Sequence, residues 1–314
     1  MNNIILGGGL AGLTAGYRLS CESIPFLLIE READTGGLSR TIKHQGFRFD
    51  IGGHRFLTSI AEIDKLVRNL LKDDLLTVKR KSKILLNGKM IDYPLRLKGA
   101  LTGIGPFRSA YALLDYLYHR IFYRIEGNNL QSWVRKNFGY TLYRIYFKEY
   151  TEKVWGLPPA LINQDWISKR IQGLSLSKAI FDMFKKDRNR KTLAEEFLYP
   201  RYGIGQIADA LEIATHPHGE VLKEASVLRI FHNNNRLERA TIITKSGMFD
   251  LKVKNCISTI PLNYLVKLLY PSPPDDVLQA ADELDYRDLI LVVLFYNTDI
   301  ITDLTWLYFP DSAI

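Results

Sequence analysis

The sequence predicts an α/β protein: a doubly wound unit that opens the chain and is re-entered later, interrupted by an inserted helical and mixed-sheet region. Three observations carry this expectation. The apolar run Asn3–Leu6 leads through a glycine-rich turn into a helical segment, the arrangement of a phosphate-binding βα turn. Helical spacing dominates between Leu97 and Leu198, and strand patterning returns after Gly219, punctuated by Asn, Ser and Gly turns. With 314 residues there is room for two units with cores of their own, at roughly 150 residues per domain.

In chain order, Asn3–Leu6, Leu10–Leu19 and Phe26–Glu30 form a compact βαβ opening. Ser59 and Glu62 have capping-box spacing, and Ile63, Leu66, Val67, Leu70 and Leu71 follow on one helical face. Ile84–Leu86 and Met90–Tyr93 flank Asn87-Gly88, the strongest short hairpin signal, and Pro94 closes the pair. Tyr111, Leu114, Leu117, Tyr118, Ile121 and Phe122 then recur at helical spacing. Asp115, His119, Arg120 and Arg124 interrupt that stretch, so it is too short and too polar to span a membrane, and burial of its aromatics is expected over a membrane-surface role. Val227–Phe231, Ala240–Thr244, Met248–Val253 and Cys256–Ile260 read as strands, and Leu289–Phe295 as a last, continuous apolar strand.

Composition narrows the function classes. The net charge of +8 gathers in runs such as Lys79, Arg80, Lys81 and Lys83, and Lys185, Lys186, Arg188, Arg190 and Lys191. Such runs are usually solvated faces; a phosphate group or anionic lipid is the next reading, and no nucleic-acid-binding signature accompanies them. Cys21 and Cys256 lack the spacing of a disulfide framework or zinc site, so no metal is expected and a cytoplasmic setting is. The N-terminus runs straight into a buried strand and glycines, unlike a signal peptide.

The chemistry-bearing motif is Gly7-Gly8-Gly9-Leu10-Ala11-Gly12, followed by Glu30 and Arg31 at the end of the next strand. Gly7 permits the tight turn, Gly9 lets backbone approach a pyrophosphate and Gly12 allows close helix packing. The helix N-terminus through Leu10 and Ala11 offers free N–H groups, and Glu30 accepts from ribose hydroxyls. This unit alone leaves NAD and FAD open. A second glycine pair in Gly36-Gly37-Leu38-Ser39-Arg40 brings another backbone segment toward the cofactor, with Arg40 able to meet a diphosphate. A third pair lies in Asp50-Ile51-Gly52-Gly53-His54-Arg55-Phe56 and would admit a flat ring system.

The order GxGxxG, acid, GG-x-x-R, D-x-GG-H resembles the FAD superfamily of amine oxidases, protoporphyrinogen oxidases, phytoene desaturases and UDP-galactopyranose mutases. The resemblance implies FAD as cofactor and a Rossmann-like FAD domain with an inserted substrate domain. The implied segments are 1–75 and 201–265 for the FAD domain, 76–200 for a hairpin and helical cap, and 266–314 for substrate-domain strands. Tyr150-Thr151-Glu152-Lys153-Val154-Trp155-Gly156 and Ile167-Ser168-Lys169-Arg170-Ile171 resemble mutase segments. By that resemblance Tyr150 and Trp155 flank the ligand, Arg170 pairs with its diphosphate, His54 sits near the flavin ring, and the backbone at Val227 meets the adenine. Leu38, where mutases carry Asn, is nearer the oxidase pattern.

The resemblance implies an FAD-dependent oxidoreductase passing hydride from a small-molecule substrate to flavin N5. The alternatives are a mutase-type isomerase using reduced FAD on a UDP-sugar, and a C-terminally truncated remnant with impaired catalysis. The implied partners are a sugar nucleotide or glycan precursor, with no nucleic acid and no transmembrane segment.

Overall fold

The computed structural model describes residues 2–86, 88–93, 104–124, 127–165, 196–234 and 236–309. They fall into two compact units, one running to Val78 and resuming over Phe197–Phe295, the other lying within Lys79–Glu196 and resuming at Tyr296. The chain enters the first unit through β1 (Asn3–Leu6), α1 (Leu10–Cys21), β2 (Phe26–Ile29), β3 (Thr41–His44), β4 (Phe47–Asp50), α2 (Ala61–Leu71) and β5 (Leu75–Lys79). The second unit follows with β6 (Ser82–Leu86), β7 (Lys89–Tyr93), α3 (Pro106–Phe122), α4 (Leu130–Leu142) and α5 (Glu149–Trp155). The return supplies β8 (Glu196–Pro200), α6 (Gln206–Thr215), β9 (Gly219–Leu222), β10 (Ser226–Asn233), β11 (Arg236–Thr244), β12 (Gly247–Lys252) and β13 (Asn255–Ser258). It continues through α7 (Leu262–Lys267), β14 (Leu269–Tyr270) and α8 (Asp275–Asp282), and β15 (Trp306–Tyr308) closes the described chain in the second unit.

The first unit is built around a parallel sheet of order β13-β1-β2-β9. Its two central strands are apolar on both faces, as a sheet covered on both sides requires. Because successive side chains alternate, Ile5, Phe26 and Leu28 turn to one face, where Leu13 of α1, Val67 and Leu71 of α2, and Ile207, Ala208 and Leu211 of α6 cover them. Ile4, Leu6, Leu27 and Ile29 turn to the other, where Ala225, Ile230, Ala240, Ile242 and Val253 close a second core. Most of that second layer is a mixed sheet of order β12-β11-β10-β14, antiparallel except that β14 runs parallel to β10. The Phe26 ring fills a slot left by glycines: a Cβ at Gly16 would lie 2.8 Å from it and one at Gly219 2.2 Å.

The second unit contains the expected hairpin. β6 and β7 pair with a Leu86–Lys89 closing register, and β15 adds in parallel to β6. Helices α3 and α4 cross closely where Gly139 has φ +82; a Cβ there would meet Asp115 at 2.8 Å and the Tyr116 backbone at 2.9 Å. Around that crossing Ile91, Ile104, Ala112, Tyr116, Leu142 and Tyr146 form the core. A π-helical stretch, Tyr143–Lys148, joins α4 to α5.

Three sequence expectations are corrected. No side chain caps α2, whose N-cap is Ile60; the Thr58 hydroxyl instead accepts from the Ile60 N–H at 3.1 Å, so the Ser59–Glu62 box does not form. Leu289–Phe295 forms no strand, and Ile290 is 88% exposed. A continuous apolar run specifies a buried strand only if ladder partners are present, and none is paired with this one among the described residues. The aromatics expected to be buried on the helix through Tyr111 and Phe122 are instead turned outward.

Candidate functional site

The opening turn is held in place by groups from four segments of the first unit. Gly7 adopts φ +97, and a Cβ on Gly12 would lie 1.9 Å from the Gly7 carbonyl oxygen, so α1 leaves β1 at an angle only glycine allows. Thr259, just past β13, shares its hydroxyl proton between the carbonyls of Leu6 (2.9 Å) and Gly7 (3.2 Å). Helix α1 starts at Gly9 with no side-chain cap and no acidic residue in its first turn. The N–H groups at the start of α1, from Leu10 and Ala11 on, therefore face an unneutralised positive helix end.

Glu30 follows β2 and is buried. Its Oε2 accepts from the Gly8 N–H at 2.6 Å and its Oε1 from the Glu32 N–H at 2.8 Å. Each carboxylate oxygen has two acceptor sites, so one on each remains for a further donor. Arg31 is exposed and pairs with Glu32 at 3.3 Å. The Ala225 N–H donates to Glu30 O at 2.9 Å, bringing the start of β10 beside the acid. Two residues on, half-buried Val227 packs on the second core, immediately before a register shift against β11.

The second glycine pair crosses the first. Gly36 bridges Gly9 in parallel, and its N–H donates to Gly8 O at 2.7 Å. Gly36 and Gly37 adopt φ +107 and +58, and a Cβ on Gly37 would stand 3.2 Å from Gly9 Cα. Gly37, Leu38 and Ser39 form one 3₁₀ turn, with Leu38 strongly exposed. Arg40 folds back over this turn, its Nε donating to Gly37 O at 3.1 Å and its Nη1 3.5 Å from Glu32. Buried Thr35 ties the turn to α6 by donating to Glu212 at 2.6 Å, and Lys223 pairs with the same carboxylate at 2.7 Å. Burial alone would raise the Glu212 pKa, but the hydrogen bonds from Lys223 and Thr35 outweigh it and hold the carboxyl below its ordinary value.

The third glycine pair is reached through the β3–β4 hairpin. Asp50 is the junction: its carboxylate accepts from the Thr41 hydroxyl at 2.6 Å, the Tyr199 hydroxyl at 2.5 Å and the Ile204 N–H at 3.1 Å. Burial, then the bond to Asp50, raises the Tyr199 pKa and keeps that phenol a donor. Gly52 has φ +112, and Gly53 beside it is exposed. His54 is half-buried with Nε2 3.2 Å from Ile51 O. A carbonyl only accepts, so the neutral ring carries its proton on Nε2 and leaves Nδ1 as an acceptor.

The structure thus brings together Gly7, Gly9, Leu10, Ala11, Gly12, Glu30, Gly37, Leu38, Ser39 and Arg40, with Val227 one short segment away. The Gly52–His54 loop is linked to Arg40 by the Ile51 N–H to Arg40 O bond at 3.4 Å. Tyr150 and Trp155 belong to the second unit, on α5. Five positions apart, they are separated by roughly 140° around the helix. Tyr150 meets the Tyr308 ring edge-on at 6.2 Å, and Lys153 one turn later donates to Phe309 O at 3.2 Å, so that face of α5 is turned to β15 and the residue after it. Arg170 lies outside the described residues. Thr35, Asp50, Glu212 and Thr259 were not legible as site supports, since their partners lie up to 253 residues away. Burial pushes the Cys256 thiol up to about 11, which removes it as a nucleophile near neutral pH.

Residues 5–73 match the model of a family described as an NAD(P)-binding Rossmann-like domain. The chain is 20% identical over 322 residues to protoporphyrinogen oxidase 1, chloroplastic, from Spinacia oleracea, a match covering 95% of this chain and 57% of the relative. Among solved structures it is similar to reduced UDP-galactopyranose mutase, with TM-score 0.75 and 22% identity over 91% of this chain and 61% of that one. It is also similar to putrescine oxidase bound to putrescine, with TM-score 0.57 and 15% identity over 90% of this chain and 63% of that one. A fatty acid isomerase from P. acnes gives TM-score 0.54 and 15% identity over 90% and 63%. At these identities the likeness establishes an α/β Rossmann-like fold with mixed helical and sheet regions. The chain spans 57% of the length of that curated relative.

Proposed function

We propose that the chain is a flavin-dependent enzyme that holds FAD on its first unit and, of the chemistries open to that cofactor, acts as an isomerase on a UDP-sugar. The carrying observation is the crossing of Gly9 by Gly36 beside the uncapped start of α1 and the buried Glu30 carboxylate. The donor set fits FAD: a bare helix N-terminus suits a diphosphate, an acid with a spare acceptor site on each oxygen suits ribose hydroxyls, and two side-chain-free backbone segments let a bulky dinucleotide approach. When bound, the flavin supplies the electron-rich or hydride-accepting N5 centre, the hard chemistry in either reaction.

The protein's own groups have simpler tasks. The start of α1 and Arg40 neutralise and orient the diphosphate, and Glu30 fixes the ribose. His54, with Nδ1 free to accept, takes a hydrogen bond from flavin or substrate. In the second unit Tyr150 and Trp155 contact the sugar nucleotide, and Arg170 pairs with its diphosphate as a planar fork. The isomerase reading rests on the higher structural similarity to the mutase, TM-score 0.75 against 0.57 for putrescine oxidase. A hydride-transferring oxidase is the second reading, favoured by Leu38-Ser39-Arg40 where mutases carry Asn after the glycine pair.

The test is to load the 314-residue chain with FAD, record its visible absorbance after removing excess, and incubate the dithionite-reduced protein with UDP-galactofuranose. Near-unit flavin with conversion to the pyranose is expected. Flavin without interconversion overturns the isomerase reading and leaves the oxidase; no retained flavin overturns both.

A further inference from the structure

Helix α3 is exposed on the side that ought to be hidden. Phe107, Tyr111, Leu114, Tyr118, Ile121 and Phe122 are between 60% and 91% exposed. At about 100° per residue they fall within an arc of roughly 100°. The opposite side carries Ala112, Tyr116 and His119, all buried, with the first two in the core against α4. The expectation of burial over a membrane-surface role fails on this face, because Tyr111, Tyr118 and Phe122 lie within the exposed arc and only Tyr116 turns inward.

Charge then distinguishes what this stripe meets. Asp115 is the one carboxylate in the helix sequence, and it is turned inward: Oδ2 accepts from the Thr141 N–H at 2.7 Å and Oδ1 lies 3.1 Å from His119 Nδ1. The outward surface of α3 therefore carries no negative charge. Arg108 borders the arc, about 40° past its edge, Arg120 lies toward the far side of the helix, and exposed Arg124 follows just past the helix. Lys136 of α4 sets its Nζ at the helix end, donating to the carbonyls of Arg120 (3.0 Å) and Tyr123 (2.7 Å).

We propose that this stripe is a membrane-surface anchor, seating α3 in the headgroup region of a bilayer that carries anionic lipid. An in-plane helix of this kind presents an apolar face with aromatics and flanking cations, and tyrosine suits the boundary between hydrocarbon and water. At about 1.5 Å per residue, the 17-residue helix is too short to cross, in keeping with the absence among the described residues of any helix long and apolar enough to span. A second copy docking through the same face would offer Arg108 no carboxylate of α3 to pair with, which disfavours self-association.

The experiment is co-sedimentation of the 314-residue chain with vesicles of phosphatidylcholine alone or mixed with phosphatidylglycerol, at low and high salt. Binding to the mixed vesicles is expected to exceed binding to the neutral ones by about tenfold or more and to weaken with salt. A variant carrying F107S, Y111S and I121S, all at exposed positions and checked by circular dichroism, should lose most of that binding. R108Q with R124Q should lose the anionic preference, and an F107W reporter should shift its emission to shorter wavelength on the vesicles. No sedimentation with either vesicle overturns the proposal. So does binding that the triple variant retains, or a concentration-dependent dimer that it abolishes without any vesicle binding by the parent.

Discussion

At Gly12 one methyl group decides whether the turn exists, because its Cβ would sit 1.9 Å from the Gly7 carbonyl oxygen. Carbonyl oxygen is backbone, so relief requires α1 to move away from β1, taking its N–H groups with it. Overpacking of this kind costs about 1–3 kcal/mol. Gly12→Ala should therefore lower the melting temperature and reduce the FAD retained after gel filtration; unchanged values for both would show that the close approach is dispensable. Glu30 and these glycines were legible in the sequence because their spacing is local. Thr35 with Glu212 and Asp50 with Tyr199 were not, since 177 and 149 residues separate the partners and no local pattern records a hydrogen bond across that distance. Arg40 was legible as a cation, but its contact with Gly37 O depends on a fold-back that spacing does not encode.

Elements formed where the sequence supplied both a period and a partner. β1, β2, β6, β7 and β10 through β13 have alternation or apolar runs and ladders to join. The Leu289–Phe295 run has the composition of a strand but no ladder. The π-helical stretch Tyr143–Lys148 shows how an element is stabilised by burial: Tyr146 packs in the α3–α4 core, and burial pushes its phenol up to about 12. An unfolded tyrosine titrates near 10, so the fold favours the neutral form. That contribution is fully present below about pH 10 and is lost as pH rises through about 12. Tyr146→Phe has no proton to lose, so the stability difference between variant and parent should move in the variant's favour across this window, read by urea unfolding at successive pH values. A parallel pH dependence in the two proteins would show that Tyr146 ionisation does not limit alkaline stability.

For the whole molecule, the balance of covered and uncovered apolar surface matters more than any single contact. The parallel sheet is covered on both faces, whereas Ile290, Val292 and Leu294 are 88%, 75% and 66% exposed. Their segment is pinned near both ends: a Cβ on Gly52 would lie 3.4 Å from Leu289, and the Phe295 ring lies 4.6 Å from that of Phe47 on β4. It thus passes beside the Gly52–His54 loop, with strand composition and with no strand partner among the described residues. Such a segment is a template for pairing with another chain. Concentration-dependent self-association of the 314-residue chain is the expected consequence, and I290K with V292K should suppress it. Both side chains are largely solvent-exposed, so FAD retention should be the same in variant and parent. Light scattering across a concentration series, with flavin absorbance on the same samples, separates the outcomes. Suppressed association with unchanged flavin supports the argument, whereas association that persists in the variant places the sticky surface outside this segment.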